Sequence, residues 1–409
     1  MEEILDNCCG IDVHQESLTA CIMKGSGKGM YKEIRAFSTF TDGIQQLGAW
    51  LREHGIHQAA IESTGVYWKP VFNILAEEKL DLMLVNARHV KNVPGRKTDV
   101  KDSEWLCKLL KNGLLERNFI PPEDMRNLRD LTRYRSKLVA IMASEKNRII
   151  KVLETANIKL STVLTDVFGE SGKKIIEDLA KGITDPKKLV EHVVGRVKHS
   201  KEDFNRALTG RVTKHHSFMI QQSLDHICYI GQLVEQVEKK INDITSRYAQ
   251  ELKLLQTVPG VSSTGAAIIM AEIGVNMDQF PSDQHISSWA GLCPGSYESA
   301  GKKKSTRILP GERSLKIILV QAAWAASRTK NTYLGAKYRR MASRISKKKA
   351  LIALARIILV SIYHMLKKKE PYKDLGPDYL ENLYKEKIIK NLKNRLESFG
   401  YAVELSVAG

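Results

Sequence analysis

Residues 7–24 read NCCGIDVHQESLTACIMK, and the reading of this stretch decides the fold of the first third of the chain. Apolar and β-branched residues alternate on either side of a polar centre, which predicts two strands around a turn. KGSGKG at 24–29 is a glycine-rich turn, and YKEIRAFSTF after it is a third strand. Thr41-Asp42 then caps a helix to about Arg52, HQAAIES at 57–63 is a strand, GVYWKPVFNILAEEK a helix and DLMLV another strand. GRKTDVKDSEWL at 95–106 opens the next helix and places Asp99 and Asp102 one turn apart, on one face.

Three antiparallel strands followed by alternating helix and strand suit a ribonuclease H-like α/β sheet better than a doubly wound one. Pro121-Pro122 closes this domain at residue 122. Residues 123–256 read as a charged helical region in which LVEHVVGRVKHSKEDFNRAL (189–208) and the segment 215–255 space apolar residues at three and four. A long antiparallel hairpin or coiled coil follows, serving oligomerisation or acting as an intramolecular spacer. TVPGVSSTGAAIIMAEIG starts a mainly helical third region, 257–370, and 371–409 is a tail of mixed charge.

The 409 residues hold 64 Lys+Arg against 46 Asp+Glu, a net charge of +18 that calls for a polyanionic partner. Residues 300–369 contain nineteen Lys/Arg and one acid, Glu312, so this segment alone carries an excess of eighteen. The apolar run ALIALARIILVSIYHML at 350–366 is interrupted by Arg356 and His364, and no membrane span is expected. The amino end shows no basic region ahead of an apolar one, so a cytoplasmic protein is expected. Six scattered cysteines form neither a CxxC nor a Cys/His cluster, and a buried, structural role suits Cys8-Cys9.

Asp12 in the first strand, Glu62 at the end of a later one, and Asp99 with Asp102 on the following helix are oxygen donors of the kind Mg2+ or Mn2+ takes. Two such ions polarise a phosphodiester and activate an attacking oxygen. In GLCPGSYESAGKKKSTRILPGERS (291–314), Ser299 precedes a small Ala300-Gly301 pair and then Lys302, Lys303, Lys304 and Arg307. From the residues alone, Ser299 reads either as a nucleophile toward phosphorus or as a polar loop serine beside a lysine run that contacts DNA. VPGVSSTGAAIIMAEIG resembles a helix-hairpin-helix in which Gly260 and Ser262 sit at a phosphate-facing turn. Tyr333, Tyr338, Arg339 and Arg340 interleave rings with charge, as a nucleic-acid surface does. His14 reads as a half-buried strand residue, Tyr67 and Trp68 as core, and His215-His216 as helix surface.

GIDVHQ, AIESTGVYW, GRKTDVKDSEWL and VPGVSSTGAAIIMAEIG followed by GLCPGSYESAGKKK, in this order, resemble the IS110-family transposases of bacterial insertion sequences over about residues 5–365. The resemblance implies a RuvC-like DEDD domain joined through a coiled coil to a transposase domain. It implies that Asp12, Glu62, Asp99 and Asp102 are the metal-binding acids and Ser299 the catalytic serine, which forms a covalent phosphoserine link with DNA. It further implies donor and target DNA as partners, an element-encoded guide RNA, and a dimer or tetramer that completes the active site across protomers. Two alternatives stay open from the residues alone. One is a RuvC-like nuclease that hydrolyses branched DNA with water; the other is a non-catalytic nucleic-acid-binding protein.

Overall fold

The computed structural model describes residues 4–62, 65–78, 80–85, 90, 102–118, 120–195, 198–295, 297–299, 302–305, 307–308 and 311–404, with backbone alone at 28, 297–299, 302–305 and 386–388. The chain divides into two units, Met1–Ile120 and Pro121–Gly409.

In the first unit, β1 (Asn7–Val13), β2 (Ser17–Lys24) and β3 (Tyr31–Ser38) form an antiparallel meander. After α1 (Thr41–Glu53) come β4 (Gln58–Glu62), α2 (Trp68–Ala76), β5 (Asp81–Val85) and α3 (Asp102–Lys111). β4 lies parallel to β1, and β5 parallel to β4, giving the sheet order β3-β2-β1-β4-β5. The antiparallel meander followed by alternating helix and strand is what residues 7–85 led one to expect; the order in which the strands lie side by side comes from the structure. Both faces are covered, and the period-2 alternation of each strand divides its side chains between two cores. Cys9, Ile11, Val13 and Ile61 pack under α1 and α2 with Leu47, Trp50 and Leu75. Cys8, Cys21, Met23, Ala60 and Val85 pack under α3 with Leu106, Cys107 and Leu110. Adjacent Cys8 and Cys9 are therefore both buried, one on each face. Cys8 Sγ lies 3.6 Å from Cys107 Sγ. Hydrogen bonding with Cys21 and Cys8, together with burial, pushes the Cys107 thiol far up.

The second unit begins with α4 (Glu123–Thr155), followed by four short helices, α5 (Leu160–Val163), α6 (Glu170–Ala180), α7 (Pro186–Val190) and α8 (Lys201–Leu208), and then α9 (Lys214–Thr245). α4 and α9 run antiparallel, as three pairs establish: Arg135–Glu238 at 2.8 Å and Glu145–His226 at 3.3 Å between the helices, and Asp124–Arg247 at 3.0 Å just beyond the end of α9. The short helices close the far end over a separate core that includes Ile149, Leu153, Ile176 and Ile220. The helical hairpin expected from residues 123–256 thus exists, but the stretch 189–208 is not one of its arms. Its helical spacing belongs to two short pieces, separated by Gly195 at φ +84° and by the Ser200/Asp203 capping box that starts α8. His216, read as plain surface, closes a second capping box with Thr213 at the start of α9.

The remainder contains α10 (Ala249–Gln256), α11 (Ser263–Ile273), α12 (Asp283–Trp289), the hairpin β6 (Tyr297–Ser299) and β7 (Lys302–Ser305), then α13 (Arg313–Arg328), α14 (Tyr333–Ala342), α15 (Lys347–Lys368), α16 (Tyr379–Leu383) and α17 (Lys385–Ser398). α15 is long and apolar enough to cross a membrane, yet Leu354, Ala355, Ile358, Leu359 and Ile362 are buried, as in a core helix. Val258-Pro259-Gly260-Val261 joins α10 to α11, with Val261 N–H donating to Val258 O at 3.0 Å. Gly260 stands at φ +88° in the third position, where a type II turn favours glycine.

Candidate active site

β1 and β4 place two of the expected acids side by side. Their parallel register pairs Gly10 with Ala60 and Ile11 with Ile61, so the next residues along, Asp12 and Glu62, stand at the same level of the sheet. Ile11 and Ile61 face the core under α1 and α2. By alternation Asp12 and Glu62 belong to the opposite face, which α3 covers.

α3 runs antiparallel to β1. Ile4 N–H donates to Lys111 O at 2.9 Å, Cys107 touches Cys8, and Ser103 O lies only 2.3 Å from where a Cβ on Gly10 would stand. Continuing that progression carries Asp102, the first residue of α3, toward the Asp12 end of β1. Glycine at position 10 is what lets the helix backbone rest on the strand. Asp99, which was expected to share this helix face, lies outside the described residues. Among the described residues, no three His, Cys, Asp or Glu side chains are grouped so as to hold a metal ion. The three described acids, as hard oxygen donors, fit Mg2+ in chemistry.

His14 is 65 % exposed, not half-buried, because β1 ends at Val13; its Nε2 is 3.2 Å from Asp12 Oδ2. It lines an open cleft with Gln15, Glu16 and Tyr67, whose hydroxyl donates to Gln15 Oε1 at 3.3 Å. Tyr67, expected in the core, is exposed in this cleft, whereas Trp68 does pack on the core. Further along α3, Lys108 first and then Lys32 hold the Glu104 carboxyl below its ordinary range, at 2.7 and 3.3 Å.

In the second unit, Ser299 is the last residue of β6 and pairs with Lys302, the first residue of β7. The stretch 291–314, expected as a loop, contains this two-stranded antiparallel hairpin, and Ala300-Gly301 lies outside the described residues. Its stem is fastened by the Pro294–Ile308 bridge and by Gly295 N–H donating to Arg307 O at 2.9 Å.

Residues 9–158 match the IS110 DEDD family model, described as a transposase, and residues 252–339 match the model described as the transposase IS116/IS110/IS902 family. The chain belongs to the IS110 family of transposases. The two matched segments contain all five expected catalytic positions. A comparison with curated proteins gives no match. Among solved structures, the one described as "Thermus thermophilus RuvC structure" is similar at 16 % identity over 28 % of this chain and 84 % of that one, with a TM-score of 0.19. The family makes DNA the substrate class of this transposase.

The basic residues singled out in the transposase sequence meet different fates. Lys302, Lys303 and Lys304 are the first three residues of β7, and Arg307 follows it, exposed. Arg339 is exposed, while the Arg340 guanidinium lies 4.8 Å from the Tyr384 ring centroid and donates to Leu380 O at 3.4 Å, so the carboxyl-terminal tail engages it. Ser262 caps α11 by accepting from Gly265 N–H at 3.1 Å. Gly260 has a packing reason to be glycine, since a Cβ there would stand 2.3 Å from Ala322 O. Trp324 went unnoticed in the sequence. It is 53 % exposed on α13 with the Arg328 guanidinium 4.6 Å from its ring centroid. The signal was available: tryptophan and arginine four apart, on the helix face opposite Leu315, Leu319 and Ala323.

Proposed function

We propose that this IS110-family transposase cuts and rejoins DNA through a phosphoserine intermediate formed by Ser299. The observation that most supports this reading is the convergence of Asp12, Glu62 and the start of α3 at one end of one sheet face, in the same chain as a serine opposite a lysine run. Asp12, Glu62, Asp99 and Asp102 would hold Mg2+ or Mn2+, which when bound supplies Lewis-acid polarisation of the phosphodiester. Ser299 Oγ attacks phosphorus; the new O–P bond forms as the bond from phosphorus to a DNA sugar oxygen breaks. The serine hydroxyl gives up its proton, and the departing DNA oxygen gains one. Attack by a DNA hydroxyl on the phosphoserine reverses these changes, frees the serine and rejoins a strand without loss of bond energy. Lys302, Lys303, Lys304 and Arg307 offset phosphate charge around the serine, and Arg339, Arg340 and the turn at Gly260 and Ser262, read as a helix-hairpin-helix, hold the DNA backbone. An element-encoded RNA selects donor and target by base pairing, and a dimer or tetramer assembles the site.

The test incubates purified protein, the element's RNA and labelled donor and target DNA with Mg2+, and a denaturing gel is examined for a protease-sensitive adduct. Wild type yields the adduct, and both Ser299→Ala and Asp102→Ala lose it. Cleaved DNA without adduct, undiminished in Ser299→Ala, refutes the serine mechanism and favours hydrolysis by water.

A further inference from the structure

Glu312 is the one acid in seventy residues that carry nineteen Lys/Arg, and the reading above gives it no role. In the fold it is the N-cap of α13, where its Oε1 accepts from Ser314 N–H at 3.3 Å. The same oxygen lies 2.8 Å from an Nη of Arg133, on α4. Arg133 also forks onto Glu272 of α11 at 2.9 and 2.9 Å, and Arg129, one turn earlier, lies 3.3 Å from Glu272. Arg129 additionally donates to Ala271 O at 3.1 Å and Glu272 O at 2.7 Å, in the last turn of α11.

Glu272 is completely buried. A buried carboxylate paired on two sides by arginines cannot shift without exposing an unpaired charge, so the network is stiff. Burial lowers the Arg129 pKa; for Arg133 burial is the largest influence and acts the same way, but the hydrogen bonds to Glu272 together with the charges of Glu272, Glu312 and Asp130 outweigh it and raise the value.

What the network holds is the base of the serine hairpin. Gly311, next to Glu312, sits against the α12 exit so closely that a Cβ would be 2.3 Å from Gly291 N. Three residues before Gly311, Ile308 forms the bridge to Pro294 that starts the hairpin stem. Both strands of the stem therefore emerge from a seat that Glu312 ties to α4 and α11.

We infer that Arg133, Glu312 and Glu272 are positioning residues that hold the Ser299 hairpin in register, with Arg133 as the joint between α4 and the hairpin's exit. The inference rests on the serine reading for its catalytic consequence. Its mechanical part, a hairpin stiffened from α4, stands apart from it. As positioning residues the three act through backbone placement, where misplacement near 1 Å costs about a hundredfold in rate.

The experiment uses the full chain and two variants that break the joint from opposite sides. Glu312→Ser keeps a good N-cap for α13 but cannot reach Arg133; Arg133→Met leaves the cap intact. Thermal melting verifies folding, and Arg133→Lys replaces Arg133→Met should the latter fail to fold. Hydrogen exchange of the amides of residues 297–305 reads the joint without DNA. Adduct formation on element-end DNA with Mg2+ and the element's RNA reads its consequence, alongside DNA affinity.

Both variants are expected to speed hairpin exchange by about tenfold or more while α4 and α9 keep their protection. They are expected to slow adduct formation by about ten- to a hundredfold with DNA affinity unchanged. Wild-type exchange of the hairpin in folded variants overturns the inference. So does faster exchange with an undiminished adduct rate, or a rate that falls only in step with DNA affinity. An absence of adduct in wild type refutes the serine reading instead, and hairpin exchange still decides whether the joint exists.

Discussion

Replacing Gly10 by alanine tests the seat of α3 directly. The new Cβ would stand 2.3 Å from Ser103 O and 2.4 Å from Cys107 N, both backbone atoms, where ordinary contact begins at 3.4 Å. The strand and helix must part by about 1.1 Å, since no flexible side chain can yield instead. Overpacking of this kind costs about 1–3 kcal/mol. The helix that moves begins with Asp102; with Asp102 in the metal site proposed above, the same displacement draws that carboxylate away from Asp12 and Glu62, and a misplacement near 1 Å costs about a hundredfold in rate. The assay pairs thermal melting with Mg2+-dependent cleavage of element-end DNA. Gly29→Ala is the control, because its Cβ meets nothing within 4 Å. Gly10→Ala is expected to melt several degrees lower and to cleave about a hundredfold more slowly, with DNA affinity retained. Wild-type melting would refute the close seat of α3 on β1. A lowered melting temperature with undiminished cleavage would refute the idea that this seat sets the position of Asp102.

Gly231, inside α9 with open space around its Cβ position, is a helix-interior glycine that packing does not require. Gly231→Ala should stabilise the second unit by up to about 1 kcal/mol, seen as a higher denaturation midpoint; a lower one would contradict it. Gly260→Ala meets Ala322 O at 2.3 Å and forces φ +88° on a residue with a side chain, so a loss of about 1–3 kcal/mol is expected and an unchanged melting curve would be inconsistent with the turn. The carboxyls of Glu104 and Asp178 titrate below their ordinary range, Glu104 through Lys108 and Lys32, Asp178 through His192 and Lys181. Their folded-state pKa values are depressed, so what they contribute is complete above about pH 4.5 and is lost as pH falls through the folded values. Glu104→Gln should lower stability at neutral pH by less than about 1 kcal/mol and flatten the acid limb of the melting profile; a profile parallel to wild type would count against the pairing.

The first unit was largely legible because its information is local. Alternation in 7–24, the glycine-rich turn at 24–29 and the helical run from Thr41 each reflect interactions within a few residues, and all five strands of this unit appear where the sequence places them, although the cap of α1 is Phe40 and not the expected Thr41-Asp42. The helical middle was legible in class but not in partnership. Apolar spacing at three and four says that a segment packs, not what it packs on, so 189–208 passed for a hairpin arm while α4, directly after Pro122, supplied the real one. His14 and Tyr67 were assigned to interior positions because composition alone does not reveal that β1 stops at Val13 and leaves an open cleft beside Asp12.

By itself the sequence determined the antiparallel start of the acid-bearing sheet and the alternation of helix and strand after it, the concentration of positive charge in 300–369 and the family motifs, all of which depend on residue type and near-neighbour spacing. Only the tertiary structure decided which carboxylates share a sheet face, because that follows from the parallel register of β1 with β4 and from the close seating of α3 on Gly10. It alone explains the solitary acid in the basic segment. Glu312 lies 179 positions beyond Arg133, and only folding brings the two together to tie the base of the serine hairpin to a helix.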